Sequence, residues 1–433
     1  MSAVSSQPPA AEPTAAEPTA GTTVAPAAHP FDFPCFDGLR AIAVVSAMLG
    51  HVGFVTGAEF SRHEWYAPLV ARLEMGPAIF FMMSGFLLYR AYCAAAFAGR
   101  SATAPRVFFR RRALRIAPAY WLALTGTLLL HHATTVSEGH AGGFASFTWP
   151  QVLALYSLTH IYSAHWFFAG MTQSYTLAVE ITFYLMLPVY AVCMRRLGAG
   201  REPDARLRLE LTGVAALYLV SIVWLAVVSY GGVLPSIAQH WLPGYLDIFG
   251  LGMAMAAVHA WSAHTGRKLE PLEWLGRRGD LCLAGGIACF LIVALGMNLP
   301  RGVVDVTGGR AYVRDFFHSC GAGFLVLPAV FGPQDRSLFR RFLRLQPVVY
   351  VGLVSFGAYL WHNNFLEQAR TWAGYPLFQG NFMLLFTVTF SLSVIAASIS
   401  YFLVERPIFE RRDRPFFTRR SAAAVSAHGV SGP

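Results

Sequence analysis

Arg40 and His51 lie in one apolar stretch, separated by AIAVVSAMLG. Eleven residues of α-helix rise about 16 Å and turn through roughly 1100°, so the two side chains sit within about 20° of each other on one stripe. A guanidinium near one membrane face and an imidazole well inside the bilayer therefore share a helix wall. Ionisable groups at that depth are costly, and they normally face a polar cavity or a partner. The pair marks a site, with the histidine as the candidate general base.

A second basic element is RRALRIAP, residues 111–118. Arg112 and Arg115 are three residues apart and share a helical face where the chain enters a span. Arginines at such a boundary obey the positive-inside rule and snorkel to lipid phosphates, which accounts well for Arg110 and Arg111. Arg115 lies further in, followed by IAPAYWLAL, and planar guanidinium forks also suit the phosphates of an anionic cofactor. The third element is SYTLAVEITFY, residues 174–184, with Glu180 two turns into its span. A buried carboxylate needs a partner, and His51 at a comparable depth is the expected one. That pair would either orient a catalytic imidazole or only knit two helices together.

Weaker candidates surround these. Asp37, in FDGLR, and His362, in YLWHNN, are expected at substrate contacts. Glu74, Asp247, Asp315 and His318 fall near span ends, where solvated polar residues are common. Ser84-Gly85 reads as a close helix-packing position rather than a nucleophile. A Gly-rich phosphate loop, HExxH and GxSxG are all missing, which argues against P-loop pumps, zincins and α/β-hydrolases.

The elements that must position these residues are membrane helices. Of 433 residues, 55% are hydrophobic and only 13% charged, about half the charge of an ordinary soluble chain. The fold class expected is all-α: a polytopic membrane bundle of about ten transmembrane helices with both termini cytoplasmic. Apolar spans fall near 38–57, 76–96, 113–131, 173–194, 209–230, 243–261, 280–298, 315–332, 347–367 and 381–404, each long enough for a hydrocarbon core of about 30 Å. The apolar stretch 147–168 holds Pro150, His160 and His165 and reads as interfacial or re-entrant. With the N-terminus inside, 27 of the 33 basic residues fall on the cytoplasmic side, as the positive-inside rule requires. The net charge of +10 is thus spread over loops as topology demands, and no nucleic-acid partner is expected. Six cysteines without a CxxC pair read as small buried hydrophobes, and no metal is expected. Residues 1–33, a Pro/Ala/Thr tail with AEPTA twice, and the basic segment 411–433 are expected to be disordered. The N-terminal tail lacks the features of a secretory signal peptide, so the first span is expected to be a retained anchor.

Taken in order, FDGLRAIAVV…H, FFMMSGFLL, RRALRIAPAYW, YTLAVEITFYLMLP, GLVSFGAYLWH and FLVERPIF resemble the acyltransferase-3 family of integral membrane O-acyltransferases over residues 34–410. The resemblance implies transfer of a short acyl group from acyl-CoA, acetyl-CoA first among donors, to a hydroxyl of a sugar-containing acceptor. That acceptor would be a cell-envelope glycan, a glycolipid or a glycosylated natural product, and the setting a bacterial plasma membrane. By position it implies His51 as the catalytic residue, Glu180 in support, and Arg40, Arg112 and Arg115 in donor handling. The chain departs from the family pattern at Tyr175-Thr176-Leu177, where Trp-Ser-Leu is common, at Ile181, where an acidic residue is common, and at Asn363-Asn364, where a proline is usual. Many relatives carry a further SGNH hydrolase-like domain, so this chain is expected to act alone or to hand its product on. The competing class is a secondary transporter or flippase for an anionic lipid or sugar; against it, the two halves show no repeat.

Overall fold

A computed structural model of the chain describes residues 33–135, 141–302 and 306–411. The two expected tails lie outside the described residues, apart from Phe33 and Arg411. From Pro34 on, the chain clusters as one unit. Helix α1 (Phe36–Val55) leads through the short α2 (Ala67–Val70) to α3 (Met75–Phe97) and α4 (Pro105–Leu129). A broken stretch with α5 (Trp149–Tyr156) precedes α6 (Ser174–Leu197), α7 (Pro203–Tyr230) and α8 (Leu246–Thr265). Next come α9 (Glu270–Gly276), α10 (Gly279–Leu291) with a π-turn to Gly296, and α11 (Gly309–Val330). The chain closes with α12 (Leu338–Leu343), α13 (Gln346–Leu353), α14 (Ser355–Trp372), α15 (Phe382–Ser400) and α16 (Arg406–Arg411). The only strands described are two-residue pieces, Ala133–Thr134 paired with Ala141–Gly142.

Local chemistry sets the boundaries. Pro105 and Pro203 open α4 and α7 at first-turn positions, where a missing N–H costs nothing. Gly266 closes α8 in the left-handed region at φ 70°. Seven helical segments are long and apolar enough to cross a membrane, and each falls at an expected span. Three further long helices, α4, α11 and α14, match the remaining expected spans but carry charged side chains along their length. The chain is an all-α polytopic membrane bundle.

One detail differs from the sequence expectation and another agrees with it. The span expected at 347–367 is two helices, α13 and α14, meeting at Val354. There α13 lies so close to the start of α1 that a Cβ on Gly352 would collide with the Asp37 carbonyl. The stretch 147–168 holds an eight-residue helix and a single 3₁₀ turn, consistent with a segment that does not span. Tyr120 and Trp121 of α4 hold it by donating to the carbonyls of Leu155 and Tyr156.

Packing brings the site together. Helix α3 runs along α8 at backbone contact distance: a side chain on Gly85 would strike the Phe249 carbonyl, and one on Gly252 the Met82 carbonyl. Small residues give such approach in lipid, where close van der Waals packing drives association. On its other flank α1 packs on α14 and α15 through Val44, Met48, Val354, Ala358 and Ala397, all buried. His51 and Arg40 are thus held between α3 and α14.

Candidate active site

Two adjoining assemblies hold the predicted residues. The first is a cavity of about 300 Å³ lined by Arg40 of α1, Arg112 and Arg115 of α4, and Glu180 and Tyr184 of α6. Its remaining wall is largely apolar, from α3 (Phe80, Phe81, Met83, Leu87), α4, α6 and α14. Arg40 donates to Asp37 at 2.5 Å, one turn earlier on α1. Arg112 lies over the Tyr184 ring at 5.9 Å. Glu180 accepts a hydrogen bond from Ser84 Oγ at 2.5 Å, so Ser84 is a polar partner of a half-buried carboxylate while Gly85 beside it serves packing. Three guanidiniums against two carboxylates leave this end of the cavity positive, a seat for an anion.

The second assembly is a chain of hydrogen bonds around His51. His51 Nδ1 lies 2.7 Å from His362 Nε2 and 3.0 Å from Asn363 Oδ1, and the two rings stack at 4.9 Å. His362 Nδ1 lies 2.6 Å from the Tyr359 carbonyl, which can only accept. His362 therefore carries its proton on Nδ1 and offers a bare Nε2. His51 must then be the donor from Nδ1, which the carbonyl oxygen of Asn363 also demands. Asn363 Nδ2 donates to Gln173 Oε1 at 2.8 Å, and Gln173 Nε2 donates to the Leu360 carbonyl at 2.9 Å. Every link fixes the next. The outcome is a His51 that donates from Nδ1 and whose Nε2 has no hydrogen-bond partner among the described residues.

The sequence expectation paired Glu180 with His51, and the geometry does not. Glu180 bonds to Ser84 and sits among the arginines, whereas His51 is held by His362 and Asn363. The two expected partners sit on different helices, and comparable depth says nothing of azimuth. His362, expected at substrate, pairs with His51 and is not among the cavity-lining residues; nor is His51. The link between the assemblies is Tyr359. It lines the cavity, its ring centre is 5.5 Å from that of His362, and its hydroxyl bonds to Thr176 Oγ1 at 2.8 Å. Gln173 and Tyr359 were not singled out from sequence, Ser84 was read only as a packing position, and Asn363 only as a departure from the family pattern. The run of polar residues in HNN after an apolar helix start was the available signal for Asn363.

A polytopic helix bundle with a basic intramembrane cavity beside an oriented imidazole is the class that fold and site define. The family model for an acyltransferase domain, acyltransferase-3, matches residues 33–402. The chain belongs to that family. It is 23% identical over 348 residues to the peptidoglycan O-acetyltransferase OatA of Listeria monocytogenes, covering 76% of this chain and 48% of that protein. It is 30% identical over 175 residues to nodulation protein 10 of Rhizobium leguminosarum bv. viciae, covering 37% of this chain and 45% of that one. The chain thus spans about half the length of the curated relatives it matches. No solved structure matches it. Family membership favours the acyltransferase over the transporter.

Proposed function

We propose that the protein moves a short acyl group, acetyl first among candidates, from acyl-CoA to a hydroxyl of a sugar-containing acceptor in a bacterial plasma membrane. The observation that carries this reading is the hydrogen-bond arrangement at His51: Nδ1 is committed as a donor, which leaves Nε2 as the basic nitrogen of the neutral ring, and Tyr359 links this assembly to a cavity with three arginines. The peptidoglycan O-acetyltransferase among the relatives supports an O-linked sugar acceptor, and a glycolipid or glycosylated natural product has the same reacting group. Arg112 and Arg115 seat the phosphates of the donor at the cytoplasmic side, with Arg40 along the route and Glu180, held by Ser84, keeping the guanidiniums in place. A cavity of about 300 Å³ is at the small end for ligands, so it takes the acyl thioester end and leaves the nucleotide at its mouth.

In the reaction, His51 Nε2 removes the acceptor hydroxyl proton as the oxygen bonds to the thioester carbon. The C–S bond then breaks, the imidazolium returns the proton to the departing thiolate, and the products are an ester and free CoA thiol. Asn363 and His362 keep Nδ1 protonated throughout, so the reactive nitrogen stays the same one. The test is thiol release from acetyl-CoA by purified protein with glycoside acceptors. Acceptor-stimulated release should fall by about 10²–10⁴-fold in His51→Ala. Full release by a folded His51→Ala protein would refute the assignment.

A further inference from the structure

The ends at which α3, α6, α8 and α11 begin carry a second polar cluster, away from the arginine cavity's basic end. Glu74 immediately precedes α3, makes no side-chain capping bond to it, and keeps 45% of its side chain exposed. Arg314, His318 and His240 lie within electrostatic reach of its carboxylate. Arg314 donates from Nε to Asp315 at 2.8 Å, and its two terminal nitrogens donate to none of the described residues. One turn further along α11, His318 is 92% buried, and its Nε2 has no hydrogen-bond partner. Glu74, Arg314, Asp315 and Arg72 all act electrostatically on the His318 ring, which places it beside the same cluster. Arg72 pairs with Glu74 through Nη1 at 3.8 Å, while its Nη2 donates to the Leu299 and Pro300 carbonyls.

Aromatic groups close the other side. Tyr175 and His240 pack against Phe167 with ring centres 5.6 Å and 5.4 Å away, and His240 Nδ1 lies 2.9 Å from the Tyr245 hydroxyl. Tyr245 packs on Phe81 at 4.9 Å, and Phe81 lines the donor cavity. Thr176, next to Tyr175, lines it too. The cluster therefore abuts the inner part of the cavity.

We infer that Glu74, Arg314, Asp315 and His318, with the Tyr175 and Tyr245 rings, form the subsite that binds the acceptor, and that the acceptor is a neutral sugar. Carboxylates, guanidinium nitrogens and an imidazole alternate as acceptors and donors, as vicinal hydroxyls require. Two carboxylates balance Arg314 and Arg72, so the cluster has no surplus positive charge to attract a polyanion. The buried His318 nitrogen carries a desolvation cost that no described residue compensates. A bound hydroxyl supplies the missing partner.

The inference rests on the acyltransferase reading but is tested without turnover. Full-length protein in detergent is titrated calorimetrically with neutral tetrasaccharides of β-1,4-linked N-acetylglucosamine and of α-1,4-linked glucose, with oligogalacturonate, and separately with acetyl-CoA. A neutral tetrasaccharide should bind in preference to oligogalacturonate. Arg314→Gln and His318→Ala should each weaken it by about tenfold, with acetyl-CoA affinity as the control for folding. His318→Gln, which conserves volume, replaces the alanine variant if that one unfolds. Failure of both neutral sugars to bind, preference for oligogalacturonate, or unchanged affinity in the folded variants would overturn the subsite. Sugar binding that depends on Arg314 in a protein that neither binds nor cleaves acyl-CoA would instead refute the transferase and leave the subsite standing.

Discussion

Asn363 decides how His51 is presented. Its amide is the one group that both accepts from His51 and passes orientation on to Gln173. Removing that oxygen leaves His51 Nδ1 with His362 alone and frees the ring to rotate. Asn363→Ala should therefore lower kcat about tenfold, the worth of one oriented hydrogen bond, while KM for acyl-CoA stays within twofold. A fall in donor affinity of the same size would point to general misfolding rather than positioning. Sequence spacing put Arg40 and His51 on one helical stripe; the structure places Arg40 at the cavity and His51 against α14. It gave no access to His362 and Asn363 as partners, because that contact joins residues more than 300 positions apart through helix azimuth, which hydropathy does not encode.

At the scale of elements, the connections are pinned by arginines acting on backbone. Arg301 Nη1 donates to the carbonyls of Glu59 and Ser61, and Arg72 Nη2 to those of Leu299 and Pro300. The α1–α2 connection is thereby clamped to the segment before α11. Within the clamp Glu59 is buried and its Oε1 has no hydrogen-bond partner among the described residues. Burial, opposed by Arg72, pushes its carboxyl up from 4.5 to about 7. A raised acid is protonated in the fold where the open chain is already ionised, so the clamp is most stable at low pH. Its stability declines as pH rises from about 4.5 and levels off above about 7. The melting temperature of the wild type should fall between pH 5.5 and 8, whereas Glu59→Gln should flatten that slope and melt higher at pH 8. An unchanged slope in the variant would place the pH dependence elsewhere. The element boundaries were largely legible beforehand, since proline starts, glycine ends and apolar length are local signals. The break at Val354 was not, because it follows from how α13 meets α1.

For the whole molecule, the lopsided distribution of basic residues sets orientation. The short Gly266–Leu269 connection lies beside Arg267, Lys268, Arg277 and Arg278, whereas residues 231–245 after α7 contain no Lys or Arg. Alkaline phosphatase should therefore be active when fused within 231–245 and inactive at 266–269, with fluorescent-protein fusions giving the reverse. The opposite pattern would invert the bundle and put the arginine cavity on the outer face.

The sequence by itself determined the membrane bundle, the places of the long helices, the arginine and histidine stripe and the family, because hydropathy, charge bias and ordered motifs are properties of the chain read locally. Only the tertiary structure decided that Glu180 belongs to Ser84 and the arginines, that His362 and Asn363 hold His51, and that the polar ends of α3 and α11 meet beside the cavity. Those outcomes depend on how helices are rotated and how closely they approach. Glycines such as Gly85 and Gly252 set that approach, and their effect appears only once two backbones are in contact.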